Sequence, residues 1–158
     1  MKALLKIASA LAAACSLPQI CYAESDPARL AAIAEAGTLC ALSADKVGAN
    51  TSRFIGNSGW VVGEDGKEVR HNAFPIVVTL PADPDGLSRI CKVEATMASQ
   101  SDQKEMLLAL EVLLRQKPIE QADSVIWMFG KAPNARGLQF FPDYKSDRPE
   151  VRFIGAAF

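Results

Sequence analysis

His71 is the only histidine in the chain, so any reaction that needs an imidazole base must run through it. It sits between Arg70 and Asn72, where a strand-like stretch gives way to a polar bend. That setting reads as an exposed turn histidine rather than a base. Asp83-Pro84-Asp85-Gly86 has the outline of half a calcium loop. Leu87 and Ser88 stand where further oxygen ligands are needed, so a surface turn is expected instead. Ser58 lies in Gly56-Asn57-Ser58-Gly59, which lacks the Gly-x-Ser-x-Gly frame of a nucleophile elbow. The loop carboxylates Asp83, Asp85, Asp143 and Asp147 are those that two-carboxylate hydrolysis would draw on, and no spacing selects a pair.

The four cysteines divide two and two. Cys15 and Cys21 belong to a leader, described below. Cys40 and Cys91 remain, an even number with no C-x-x-C spacing, and a single disulfide between them is expected. An oxidised pair and one histidine leave too few nitrogen and sulfur ligands for zinc. No metal and no other cofactor is expected.

A different chemistry is written in Phe140-Phe141-Pro142-Asp143-Tyr144. Neighbouring residues of a strand face opposite ways, so one phenylalanine enters the core and the other faces out. Phe141, Tyr144, Arg136 and Arg148 together have the composition of a protein-recognition patch. Trp60 and Trp127 read as core.

The leader sets the compartment. Lys2 and Lys6 begin it, and Leu4 to Ala14 is apolar apart from Lys6 and Ser9. Pro18 interrupts, and Cys21-Tyr22-Ala23 offers small residues at the two cleavage positions. This is the pattern of a secretory signal peptide over 1–23, with a single globular domain over 24–158. The apolar run is shorter than the ~20 residues of a membrane span. Cys15 would be the acceptor in a lipoprotein reading, but Ala12-Ala13-Ala14 fits that route less well than Ala23 fits cleavage. The mature protein is therefore expected to be secreted or periplasmic. Removing Lys2 and Lys6 takes Lys+Arg from 17 to 15 against an Asp+Glu of 18, for a net charge of -3. With no basic block, nucleic acid is not an expected partner.

The elements that position these residues follow from periodicity. Asp26-Pro27 opens a short N-terminal helix of roughly ten residues, with Gly37 as its stop. Thr38 to Leu42 reads as a first strand carrying Cys40. Trp60-Val62 and Glu68-Arg70 form a hairpin turned at Asp65-Gly66. Phe74 to Leu80 is β-branched, and Cys91, Val93, Ala95 and Met97 alternate with polar residues as a half-buried strand should. A long helix is expected over about 102–117, capped at Ser101-Asp102 and apolar along Met106, Leu107, Leu110, Leu113 and Leu114, with a Glu111–Arg115 pair. Strands over 124–129, 137–141 and 151–158 close the chain. Arg53-Phe54-Ile55-Gly56 and Arg152-Phe153-Ile154-Gly155 match by coincidence, since nothing around them does.

The expected fold is α+β, a mainly antiparallel sheet covered by one long helix (102–117), plus the short N-terminal helix. An outer-membrane barrel is excluded by that helix and by Arg152, which falls in register with Ile154, Ala156 and Phe158. The expected function is a non-catalytic binding or accessory module acting on another envelope protein. The alternatives are a small exported hydrolase using the carboxylates above, and a small-molecule or lipid carrier lined by Met97, Met106 and Met128. Nothing in the sequence sets an oligomeric state.

Overall fold

The computed structural model describes residues 25–44, 51–81 and 89–158. The leader with Cys15 and Cys21, and the turn with Asp83 and Asp85, lie outside them. The fold is α+β: two helices and one eight-stranded antiparallel sheet. The elements are α1 (Pro27–Ser43), β1 (Trp60–Val62), β2 (Glu68–His71), β3 (Ile76–Thr79), β4 (Ile90–Thr96), α2 (Gln100–Leu114), β5 (Ile119–Glu120), β6 (Val125–Phe129), β7 (Arg136–Phe141) and β8 (Glu150–Ala157). No described helix is long and apolar enough to cross a membrane.

Sheet order is β1-β2-β3-β4-β8-β7-β6-β5. The chain thus makes one helix and a four-strand meander, then a second helix and a second meander. The two meanders join along their last strands, with Val93 of β4 opposite Phe153 of β8. The matching tetrapeptides do not occupy equivalent positions in this architectural repeat. Arg53–Gly56 precedes β1, whereas Arg152–Gly155 lies within β8.

Alternation decides which face is dry. A row of cross-strand neighbours runs Val62, Val69, Val78, Val93, Phe153, Phe140 and Val125. A second row runs Cys91, Gly155, Leu138 and Trp127. Cys91, Val93, Phe153, Phe140, Leu138 and Trp127 are fully buried. Phe140 and Phe153 tilt together at 4.8 Å between ring centroids.

The helix on the middle of the sheet is α1, not the 102–117 helix the sequence suggests. At 17 residues it is also the longer of the two. Asp26 caps it as expected, accepting from the backbone N–H of Ala28 (2.9 Å) and Arg29 (3.3 Å). Gly37 does not stop it. A Cβ there would meet Phe153 Cδ1 at 3.3 Å, so this glycine makes room for the ring beneath the helix. Thr38 to Leu42 is helical rather than a strand, with the Thr38 hydroxyl bonded back to the Ala34 carbonyl at 2.9 Å. Leu39, Ala41 and Leu42 are good helix formers, and packing on the sheet carries the helix through Thr38 and Cys40.

Contact between α1 and β8 is backbone-close. A Cβ at Gly155 would lie 2.6 Å from both Cα and N of Ala41. Beside it, Cys40 of α1 and Cys91 of β4 form the expected disulfide, with Cα atoms 5.4 Å apart. Cys91 is the cross-strand partner of Gly155, so covalent bond and close approach share one spot. The alanine-rich sequence of α1 is what permits this distance.

α2 starts earlier and ends earlier than expected. Ser99 is its N-cap, and the buried Asp102 carboxylate accepts from the Ala98 N–H and the Ser99 hydroxyl, both at 3.0 Å. Met106 and Leu110 are fully buried beside α1. The helix ends at Leu114 because Arg115 turns left-handed (φ 53°). The expected Glu111–Arg115 ion pair does not form among the described residues.

Candidate functional site

Neither helix covers the second face of the sheet. Its central row runs Val61, Arg70, Val77, Glu94, Arg152 and Phe141, one residue per strand from β1 to β7. A groove of about 680 Å³ crosses this face, walled in part by Pro75, Pro142 and Glu150. At its floor the Arg152 guanidinium lies 4.6 Å from the centre of the Phe141 ring. A cation over an aromatic face holds both groups in place while leaving the guanidinium edge able to donate. Arg70 pairs with Glu68 at 2.7 Å, and Lys92 with Glu94 at 2.6 Å. The groove therefore mixes apolar side chains, Val77 and Phe141, with charges of both signs.

The residues expected to form one patch fall in three places. Phe141 is in the groove. Tyr144 is exposed, and it borders a separate depression with Leu107 of α2 and Ser124 at the start of β6. Arg148 is exposed on the loop that follows β7. Arg136 begins β7, level with Phe129 and Ala157 on the helix-bearing face and far along the strand from Phe141. Sequence reasoning did not select Arg152, Arg70 or Glu94 as site residues. The signal was present for Arg152, a charge alternating with the buried Val151 and Phe153, but its neighbour Phe141 depends on the β7–β8 register.

No family model, curated protein or solved structure matches this chain. Its chemistry must be read from its own side chains.

The loop between β7 and β8 is tied to the start of α2. Gln103, nearly fully buried, accepts from the Asp143 N–H and donates to the Asp143 carbonyl, each at 2.8 Å. Gln100 donates to the carbonyls of Asp143 (2.8 Å) and Ser146. The Asp143 carboxylate accepts from the backbone N–H of Lys145 (2.9 Å) and Glu150 (3.3 Å). These bonds, led by that from Lys145, hold its pKa below the ordinary 3.8. Asp143 is thus a loop-closing carboxylate, ionised at neutral pH and occupied on both oxygens. Because its folded pKa lies below the unfolded one, its stabilisation is complete above the unfolded value and lost as pH falls through the folded value. Hydrogen-exchange protection of residues 143–150, taken relative to the unstructured rate at each pH, should therefore be constant around neutral pH and fall only in acid, as pH drops below the ordinary carboxylate range. Asp143→Asn should remove that acid step.

His71 is built into the fold rather than exposed on a turn. It ends β2 on the helix-bearing side, edge-on to Trp60 (4.9 Å) and stacked on Phe74 (5.0 Å). Its Nδ1 accepts from the backbone N–H of Ala73 and Phe74, each at 3.2 Å. Gly59 (φ 100°) leaves space for the ring, since a Cβ there would sit 2.7 Å from Nε2. An imidazole used in this way locks a bend. Met97 and Met106 are fully buried in the core, whereas Met128 is partly exposed on the opposite face, so the three methionines do not line one cavity.

Proposed function

We infer that the mature protein is an exported, non-catalytic binding module that docks the helix-free face of its sheet on a polypeptide segment of another envelope protein. The observation that carries this reading is the Arg152–Phe141 stack at the floor of a groove that neither helix covers. Aromatic residues and arginine are among the residue types that dominate protein-binding hot spots. Charges of both signs interleaved with apolar side chains suit a protein surface, which itself mixes the two. They suit neither a polyanion nor a lipid tail. The leader pattern and the Cys40–Cys91 disulfide support an oxidising, extracytoplasmic setting. Asp143 is engaged by the backbone and His71 by a bend, which favours binding over hydrolysis.

The reading is tested with Phe141→Ser combined with Arg152→Glu. Both side chains lie on the outer face, so the fold should be retained. An envelope partner that co-purifies with the wild type should be recovered at least about tenfold less well with the double variant. Equal recovery by a correctly folded variant would refute the groove as the docking site.

A further inference from the structure

On the helix-free face, three strands each carry opposite charges two residues apart. They are Glu68 and Arg70 on β2, Lys92 and Glu94 on β4, and Glu150 and Arg152 on β8. Residues two apart on a strand share a face and stand about 7 Å from one another along it. The first two pairs are closed, at 2.7 and 2.6 Å between nitrogen and oxygen. The third is open. The Arg152 guanidinium lies over the Phe141 ring instead. Neither it nor the Glu150 carboxylate makes an ion pair among the described residues. Glu94 is the cross-strand partner of Arg152, but its carboxylate is engaged by Lys92. Both open charges are exposed, and both line the groove.

Given docking on this face, on which the inference rests, we propose that the docked segment is extended and carries an acidic and a basic residue two positions apart. The acid pairs with Arg152 and the base with Glu150. An extended segment lying along β8 repeats the period of that strand, so both charges are met at once. The guanidinium held on Phe141 keeps its donor edge for a carboxylate, which it binds in two-point contact. A segment with two acids would set one of them against Glu150, and a segment with two bases would set one against Arg152. The open pair therefore selects by repulsion as well as by attraction.

Capped peptides titrated to about 1 mM against the mature protein, with amide shifts followed by NMR, test this. The probe is Thr-Val-Asp-Thr-Lys-Val-Thr. It should bind at least about fivefold tighter than the peptides with two aspartates or two lysines at those positions. Thr-Val-Asp-Lys-Thr-Val-Thr has the same composition with the charges on opposite faces, and it should bind no better than the like-charged pair. Arg152→Gln should bring the two-lysine peptide level with the probe, and Glu150→Gln should do so for the two-aspartate peptide. Both residues are exposed, so both variants should fold. Equal binding of all four peptides, abolished by Phe141→Ser, would overturn the charge pattern while upholding the groove as a docking site. An unchanged rank order in the two neutral variants would overturn the pairing. Binding by none would overturn the extended segment, and docking would then stand or fall on the capture experiment with Phe141→Ser and Arg152→Glu.

Discussion

Replacing Gly155 by alanine should lower the stability of the fold by about 3 kcal/mol, a loss of roughly 10 °C in melting temperature for a domain of this size. Alanine is otherwise the better strand residue by up to ~1 kcal/mol, so propensity alone gives the opposite sign. Packing decides it. The new methyl would meet backbone atoms of Ala41 at 2.6 Å, and a helix backbone cannot rotate aside as a side chain can. Relief requires α1 to lift from β8. That opens the ring contact beneath Gly37 and strains the bond between Cys40 and Cys91. Gly137→Ala is the internal control, on the neighbouring strand. Its Cβ would meet Met128 Sδ at 3.1 Å and the Phe158 ring at 3.2 Å, the free ends of side chains that can move. Thermal melts should show a large loss for Gly155→Ala and a small one for Gly137→Ala. Similar losses in both would contradict the close-approach account.

Removing the disulfide should cost about 4 kcal/mol, the chain-entropy figure for a closure across 51 residues. That is a large part of the stability of a domain of this length. The Cys40→Ala, Cys91→Ala pair is the appropriate variant, since alanine suits the small, buried space on both elements. Unfolding free energies from denaturant titrations, with the slope fitted separately because the uncrosslinked unfolded chain exposes more surface, would report the loss. A change below about 1 kcal/mol would mean that packing alone seats α1. The two perturbations share a site, because Cys91 and Gly155 are cross-strand partners. Their effects should therefore be non-additive: with the disulfide gone, α1 is freer to lift, and Gly155→Ala should cost less.

Residues whose neighbours lie close in sequence were legible from the sequence. Cys91, Val93 and Ala95 alternate as a half-buried strand, and Asp65-Gly66 marks the turn of the β1–β2 hairpin. The outward turn of Phe141 against the inward Phe140 also follows from strand period alone. What failed depended on the partner element. Gly37 reads as a helix stop, and only the Phe153 ring below explains a glycine in mid-helix. The apolar run from Thr38 to Leu42 fits a strand or a buried helix equally, and contact with β8 settles it. The wide apolar face of α2 drew attention as the sheet cover, while the small residues of α1 are what allow the closest contact. At the site, Phe141 and Arg152 are eleven positions apart, and they meet because β8 returns between β4 and β7. Arg136 shares a strand with Phe141, but strand length and alternation send it to the other end and the other face.

In-cell photocrosslinking tests docking on the helix-free face most directly. A photoreactive residue would replace Val77 or Glu94 in the groove, or Lys104 on α2 as control. The same envelope protein should be captured from Val77 and Glu94 and not from Lys104, and its adducts should disappear when Arg152→Glu is added. Adducts formed only from Lys104, or none from either groove position, would contradict the assignment of the groove as a docking site.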